Sequence, residues 1–429
     1  MTSSCLCLNF EGRNLQTSSE RSEWFLAFLN SELWLLPLLL SRPFISLLLV
    51  SFGISFLNAP RYALLPVYVE ADLLRTPVFS AGLKAIFLIL GGLFALPAGS
   101  LADRWGPKRV YLIGTLTPAL AAIVFLSSDV TALALFCIGI GITSGFDSAG
   151  GQSYLIRAVD PKLIGTASAG YFLGNTLGTS LGNLVAGPIA DQQGYGALGK
   201  LALIGCGVLV IGALVGLAHV QGTPNQNGSG NNGEDKPPRL IWRKDVLLLL
   251  GIRYLPTCFW GAVTLVLPLL IFRATDSNTA VTTFSAVKLG VAACFQLLTG
   301  RASDRHGRWA PILIAAGIET ISAIGLAIWC DSVAGLYVWG IMAAASAWSL
   351  STTMPGLIQL IARDEEKGKL VGTAHFVWSA GMLTGNLGGG WLVDRSASLV
   401  FYVGGIFCFG ACLCGIGLWR GRGTKDEHR

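Results

Sequence analysis

The feature that most constrains this chain is its succession of long apolar runs. Twelve of them, at 44–69, 78–99, 110–127, 131–154, 163–188, 198–219, 245–272, 279–299, 310–330, 333–356, 369–392 and 397–419, carry few charges. Each is close to the roughly 20 residues a helix needs to cross a bilayer. Only 13% of the 429 residues are charged, against about 25% in a water-soluble domain, whose surface has to carry them. The 54 glycines suit helices packed closely in lipid. The expected fold is an all-α membrane protein of twelve transmembrane helices, with the lipid bilayer as its solvent.

The segments between runs are short and polar except 220–244, where Asn, Gly and Pro make a flexible linker. It divides the spans six and six, in two pseudo-symmetric six-helix bundles. The expected organisation is an amino-terminal cytoplasmic or interfacial segment at 1–43, a first half at 44–219, the linker, a second half at 245–419, and a cytoplasmic tail at 420–429. Within the first segment, 24–40 is apolar but interrupted by Ser31, Glu32 and Pro37. It starts too late for a signal peptide, and an interfacial helix is expected there. With both termini cytoplasmic, 22 of the 30 basic residues fall in inner segments. The outer segments hold Arg75, Lys200, Arg273 and Arg395. A miscounted helix would scramble so large an inside-positive bias. A multi-pass monomer of the plasma (inner) membrane is the expectation.

The halves repeat one another. GSLADRWG at 99–106 recurs as GRASDRHG at 300–307, so Asp103 and Asp304 lie 201 residues apart. GNLVAGPIAD at 182–191 recurs as GNLGGGWLVD at 385–394, an offset of 203, and LIGTA at 163–167 recurs as LVGTA at 370–374. Internal repeats of this kind mark secondary transporters, with substrate near the midplane between repeats. Paired DRxG loops in a six-plus-six chain resemble the major facilitator superfamily over about 44–419. The first copy matches that pattern at Gly99, Asp103, Arg104, Gly106 and Lys108, with Pro107 in place of a basic residue. The second keeps Gly300, Asp304, Arg305, Gly307 and Arg308, followed by Trp309. The resemblance implies that these charges latch the cytoplasmic side closed during transport; plain topogenic anchoring is the alternative. Gly170, Gly174, Gly178 and Gly182 form a four-residue ladder echoed by Gly381, Gly385 and Gly389. It gives a flat helix face, and the resemblance places that face at a sliding seam between halves; a purely structural close contact is equally compatible. Gly174 is followed by Asn175, where antiporter relatives have proline, and span 4 has Asp147 where drug–proton antiporters have arginine.

Charges inside spans are costly, roughly 3 kcal/mol each on insertion scales, and so call for a reason. Asp147 in span 4 and Glu319 in span 9 are candidate proton carriers, Asp147 the better placed; Glu319 pairing with a neighbouring helix is the other reading. Arg61, Lys84 and Lys288 sit in outer halves of spans, the lysines in FSAGLK and FSAVK. They suit an anionic substrate or counter-charge Asp147, unless the lysines snorkel to the surface. Arg253 is expected to snorkel, and His375 is a weak relay candidate.

Ten cysteines do not indicate a disulfide framework, since eight lie within apolar runs; Cys5 and Cys7 are candidate acylation sites. GYGALGK at 194–200 has phosphate-loop spacing but is followed by Leu201 and no strand precedes it. The four histidines are scattered. No cofactor, metal or nucleic acid is expected, and the net charge of +6 is mild. The reading is a carrier moving a small solute by alternating access, ion-coupled (protons being the candidate) and tending to efflux. A non-transporting sensor of the same fold is the alternative. A membrane enzyme would need clustered carboxylates or metal ligands at one face.

Overall fold

The computed structural model describes residues 41–159, 164–220, 243–306, 309–361 and 367–426. The interfacial helix expected at 24–40, Cys5 and Cys7, and nearly all of the linker lie outside the described residues. The regular structure in the described residues is all helical: α1 Arg42–Ala71, α2 Pro77–Trp105, α3 Pro107–Gly114, α4 Thr117–Val124, α5 Val130–Ala158, α6 Ile164–Gly216, α7 Lys244–Thr275, α8 Asn278–His306, α9 Trp309–Ile328, α10 Val333–Ile361, α11 Lys367–Val393 and α12 Ala397–Asp426. Nine helices among the described residues are long and apolar enough to cross a membrane.

These nine do not map one to one on the twelve apolar runs, for local reasons. The run at 110–127 is divided between α3 and α4, and Pro118 sits in the first turn of α4, where a missing N–H breaks no bond. The runs at 163–188 and 198–219 join in α6, whose apolar part Gly170–Gly216 has 47 residues. Straight, it would extend about 70 Å, more than twice a hydrocarbon core of about 30 Å. It turns instead at Gly194, whose φ of 80° is closed to most side chains. Glycine-rich α11, with His375 and Asn386, is not among the nine.

Helix pairings recur along the chain. α1 packs on α6 as α7 packs on α11; α2 on α5 as α8 on α10; α4 on α6 as α9 on α12; α3 on α5 as α9 on α10. The glycine ladders make the first of these pairings possible. A Cβ added at Gly170 would lie 3.4 Å from Phe44, and one at Gly182 would lie 2.8 Å from Ala59. At Gly178 and Gly182 it would also run into the carbonyls of Phe52 and Phe56. Likewise Gly381 faces the Tyr254 carbonyl at 2.9 Å, Gly385 the Cys258 carbonyl, and Gly389 faces Ala262 at 3.0 Å. Both ladders therefore make close structural contacts, the first on α1 and the second on α7, the reading that stood beside a sliding seam. Period four makes a face flat without choosing its neighbour.

The contacts between residues 41–220 and 243–426 are made by α6 on α8, α2 on α11, and α1 on α7 and α8. Different glycines serve here. A Cβ at Gly187 would lie 2.6 Å from Cα of Thr279, and one at Gly390 would lie 3.1 Å from Ala81. These two glycines are also 203 residues apart. Both lie toward the end of the molecule opposite the DRxG loops, and polar links close that end. The Asp191 carboxylate accepts the backbone N–H groups of Asn278 (2.7 Å) and Thr279 (2.8 Å) and the Ser277 hydroxyl (2.9 Å), capping α8. Tyr195 donates to Asn278 at 2.5 Å. Arg273 makes a two-pronged bridge to Glu70 at 2.5 and 2.8 Å and reaches Asp394 at 3.6 Å. The remaining described polar links between the two parts, Lys84 to the Thr264 carbonyl and Ser180 to the Ala286 carbonyl, lie deeper in the spans.

Candidate functional site

A cavity of roughly 390 Å³ opens on the DRxG side of the midplane, walled by α7, α9, α10 and α11 with Phe172 of α6. Pro256 of α7 is in its wall; lacking an N–H, it leaves the Ile252 carbonyl without its helical partner. The Thr257 hydroxyl binds the carbonyl of Arg253 at 2.6 Å. Trp260, Trp348 and Trp378 also line the cavity, and His375 stacks on Trp378 with ring centroids 5.6 Å apart. Arg253 does not snorkel. Its Nη1 donates to Ser351 at 3.2 Å, its guanidinium lies 5.9 Å from the Trp378 ring centre, and its Nε has no partner. Pro256 and the aromatic wall flank this side chain where it faces the cavity.

Three further cations gather beyond the cavity, within electrostatic reach of one another through Lys84. Arg61 is 2% exposed, with its guanidinium 4.4 Å from the Tyr62 ring centre and 4.6 Å from that of Phe87. Its Nε and Nη1 have no partner. Lys84, on α2, crosses to α7 and donates to the Thr264 carbonyl at 2.9 Å. Lys288 rests on the rings of Phe284 (5.1 Å) and Trp260 (5.7 Å). Trp260 thus has the cavity and the Lys288 ammonium as neighbours. Neither lysine reaches the surface: Lys84 is 5% and Lys288 9% exposed.

The two carboxylates stand apart. Asp147 on α5 is half-buried, and Gly114 of α3 packs directly on its backbone. It lies within electrostatic reach of Arg61 and of the Tyr111 and Tyr171 hydroxyls. The tyrosines extend a polar group in which Ser51 and Ser55 both hydrogen-bond Oδ1 of Asn175, Ser55 at 2.9 Å. Glu319 on α9 is fully buried at the cavity wall, and neither carboxyl oxygen has a hydrogen-bond partner. Its electrostatic neighbours are Cys408 and Cys412 of α12. The described cysteines are all unpaired.

At the DRxG end the side chains of Asp103, Asp304 and Arg305, and all of Gly307 and Arg308, lie outside the described residues. Gly106 adopts φ 86° to turn the chain from α2 into α3. Lys108 donates to the carbonyls of Leu217 (2.5 Å) and Leu214 (3.2 Å), placing its charge at the carboxyl end of α6. Arg104 is exposed. Gly99 and Gly300 have open space where a side chain would go among the described residues. The aromatic wall and the Tyr111–Tyr171–Asn175 group were not among the expected site residues. Tryptophan in a membrane span reads first as an interfacial anchor, and the tyrosines lacked a charge to draw attention.

Apolar helices around a cavity, with charged side chains buried at its margin and one end tied shut, define a membrane carrier. The comparison with known proteins agrees: the Major Facilitator Superfamily profile matches residues 43–363 and 274–428, and the chain belongs to that family. It is 26% identical over 319 residues to the multidrug resistance protein MdtH of Aeromonas hydrophila, covering 69% of this chain and 74% of that protein. Over 111 residues it is 32% identical to the arabinose-proton symporter of Bacillus subtilis, covering 25% and 24% of the two chains. Among solved structures, the nucleoside transporter NupG superposes with a TM-score of 0.72 at 13% identity, covering 88% of this chain and all of that one. A bacterial homologue of the lysosomal transporter Spinster, inward-facing and occupied, gives 0.67 at 13% identity, over 88% and 96%. The chain is a multi-pass membrane transporter of small molecules, and the family does not favour the sensor alternative.

Proposed function

We propose that the protein carries a small organic solute by alternating access, with two six-helix halves, 44–219 and 245–419, rocking about the seam between them on the linker 220–244. The carrying observation is the asymmetry of the seam. Links between the halves tie the end opposite the DRxG loops, while the cavity lies on the DRxG side. The recurrent helix pairings support the two-bundle layout. With both termini cytoplasmic, in a plasma (inner) membrane, this is the inward-facing arrangement of a monomer. The DRxG charges latch the opposite, outward-facing state. The resemblance to MdtH favours efflux, and that to a proton symporter favours protons as the coupling ion, with Asp147 beside Arg61 as the carrier site. Counterflow in proteoliposomes tests the mechanism. Cross-linking Glu70→Cys to Arg273→Cys is expected to stop exchange, and reduction to restore it. Undiminished exchange with the bond formed would sink alternating access through this end.

A further inference from the structure

We infer that the cavity selects a zwitterion with a flat apolar body, its carboxylate held by Arg253 and Trp348 and its ammonium by Glu319. This rests on the carrier reading and specifies its substrate class. The first support is the composition of the wall. Among the described residues that line the cavity, Arg253 and Glu319 are the charged ones, one of each sign. His375, stacked on Trp378, is the remaining titratable group of the lining. Lys288 rests on the Trp260 ring outside the lining.

The second support is the balance of unmet hydrogen bonds. Nε of Arg253 and Nε1 of Trp348 are buried donors without a partner, and both carboxyl oxygens of Glu319 are buried acceptors without one. The two sets do not answer each other, since a bridge between them would give both a partner. The Arg253 guanidinium makes a single hydrogen bond among the described residues, to Ser351 at 3.2 Å. Leaving such groups unmet in the interior is costly. A carboxylate only accepts and an ammonium only donates, so a ligand with one of each meets both sets.

Charge gives the third support. Arg253 and Glu319 project from different helices, α7 and α9, and form no ion pair with each other. An anion would satisfy Arg253 and bring a second negative charge toward Glu319; a cation would do the reverse. A neutral molecule leaves both groups uncompensated. A ligand with the two signs at opposite ends of its body compensates both, and its singly charged analogues meet a repulsive partner. The rings of Trp260, Trp348 and Trp378 supply the flat apolar wall. The volume of roughly 390 Å³ falls at the small end of ligand pockets, about 300–1,000 Å³, large enough for a bicyclic amino acid.

The full chain in lipid nanodiscs, followed by titration calorimetry at neutral pH, tests this with four probes of one shape. They are zwitterionic 6-(aminomethyl)-2-naphthoate, anionic 6-methyl-2-naphthoate, cationic (6-methyl-2-naphthyl)methylammonium and neutral 6-methyl-2-naphthamide. The zwitterion is expected to bind about tenfold or more tighter than each of the other three. Glu319→Gln is expected to bring it down to the level of the anion, and Arg253→Gln to the level of the cation. Both variants should leave amide binding unchanged, which separates loss of charge from loss of fold. Equal or tighter binding of another probe, a zwitterion preference that survives either substitution, or no binding of any probe overturns the inference. Zwitterion-selective binding with no flux in proteoliposomes would instead overturn the carrier reading alone. Flux of another solute without zwitterion selectivity would overturn this inference alone.

Discussion

Residues 41–220 and 243–426 share a pattern of helix pairings and differ in what they do with it. In each, a glycine ladder seats a later helix on the first, at Phe52 and Phe56 in one part and at Tyr254 and Cys258 in the other. Their polar groups differ. Residues 41–220 gather hydroxyls and an amide, from Ser51, Ser55, Tyr171 and Asn175. Residues 243–426 present three tryptophans with Arg253 and His375. Matched aspartates also part ways. Asp191 caps α8 through two backbone N–H groups, whereas Asp394 pairs with Arg273. The chemistry explains the difference: α8 begins Asn278-Thr279 and offers donors, while α2 begins with Pro77, which has no N–H to give. Positions where backbones touch recur between the two parts, and the side-chain chemistry differs elsewhere.

Breaking the shared part should have the largest effect. Gly385→Val would place a branched side chain against the Cys258 carbonyl, and Gly182→Val would do the same at Phe56. Overpacking of this kind costs about 1–3 kcal/mol or more. Both variants are expected to lose most monodisperse protein and to unfold at lower temperature. Gly388→Ala, which has open space around it, should match the parent. Equal tolerance at all three positions would mean that the ladders do not set the helix contacts.

The next effect separates the halves. Asp147→Asn removes the carboxylate nearest Arg61 and is expected to lower pH-gradient-driven transport by about tenfold or more, with solute exchange retained. Glu319→Gln keeps the shape of a group that has no polar partner. It should leave gradient dependence within about twofold and unfold no earlier, because it removes a buried charge site. The opposite ranking, measured by proteoliposome flux with and without a pH gradient, would move coupling to the second half.

Much of the scaffold was legible in the sequence, because lipid imposes a coarse rule of apolar length, small contact residues and rare buried charge. That rule found the apolar runs, the repeat and the buried Arg61, Lys84, Lys288 and Glu319. It misjudged what depends on partners. The ladder at 170–182 announced a flat face, but its neighbour α1 could be named only in three dimensions. Arg253 resembled a snorkelling residue by its distance from the span end, since hydropathy does not register that α7 has a proline three residues later and Trp378 opposite. The tryptophans were silent for the same reason: one residue type anchors at an interface or lines a cavity, according to which helix lies behind it.

The smallest expected effect tests the divergence of the two aspartates. Asp191→Ala strips three donors of their acceptor at the start of α8, a loss of about 1–2 kcal/mol for a capping carboxylate. Asp394→Ala removes a contact of 3.6 Å whose side chains are 45% and 38% exposed, worth well under about 1 kcal/mol. Since both contacts belong to the closed end, their loss biases the carrier toward opening there, and 1.4 kcal/mol corresponds to about a tenfold shift in population. A Thr264→Cys reporter, placed where Lys84 meets α7, should react with an externally added membrane-impermeant maleimide several-fold faster in the Asp191→Ala protein. In Asp394→Ala the rate should stay close to the parent. Adding Pro77→Ala restores an N–H at the start of α2. If that proline is why Asp394 serves the ion pair rather than a helix end, reporter labelling in the Pro77→Ala protein should slow and become sensitive to Asp394→Ala. Labelling indifferent to both changes would mean that the two aspartates diverged for a reason other than the missing N–H.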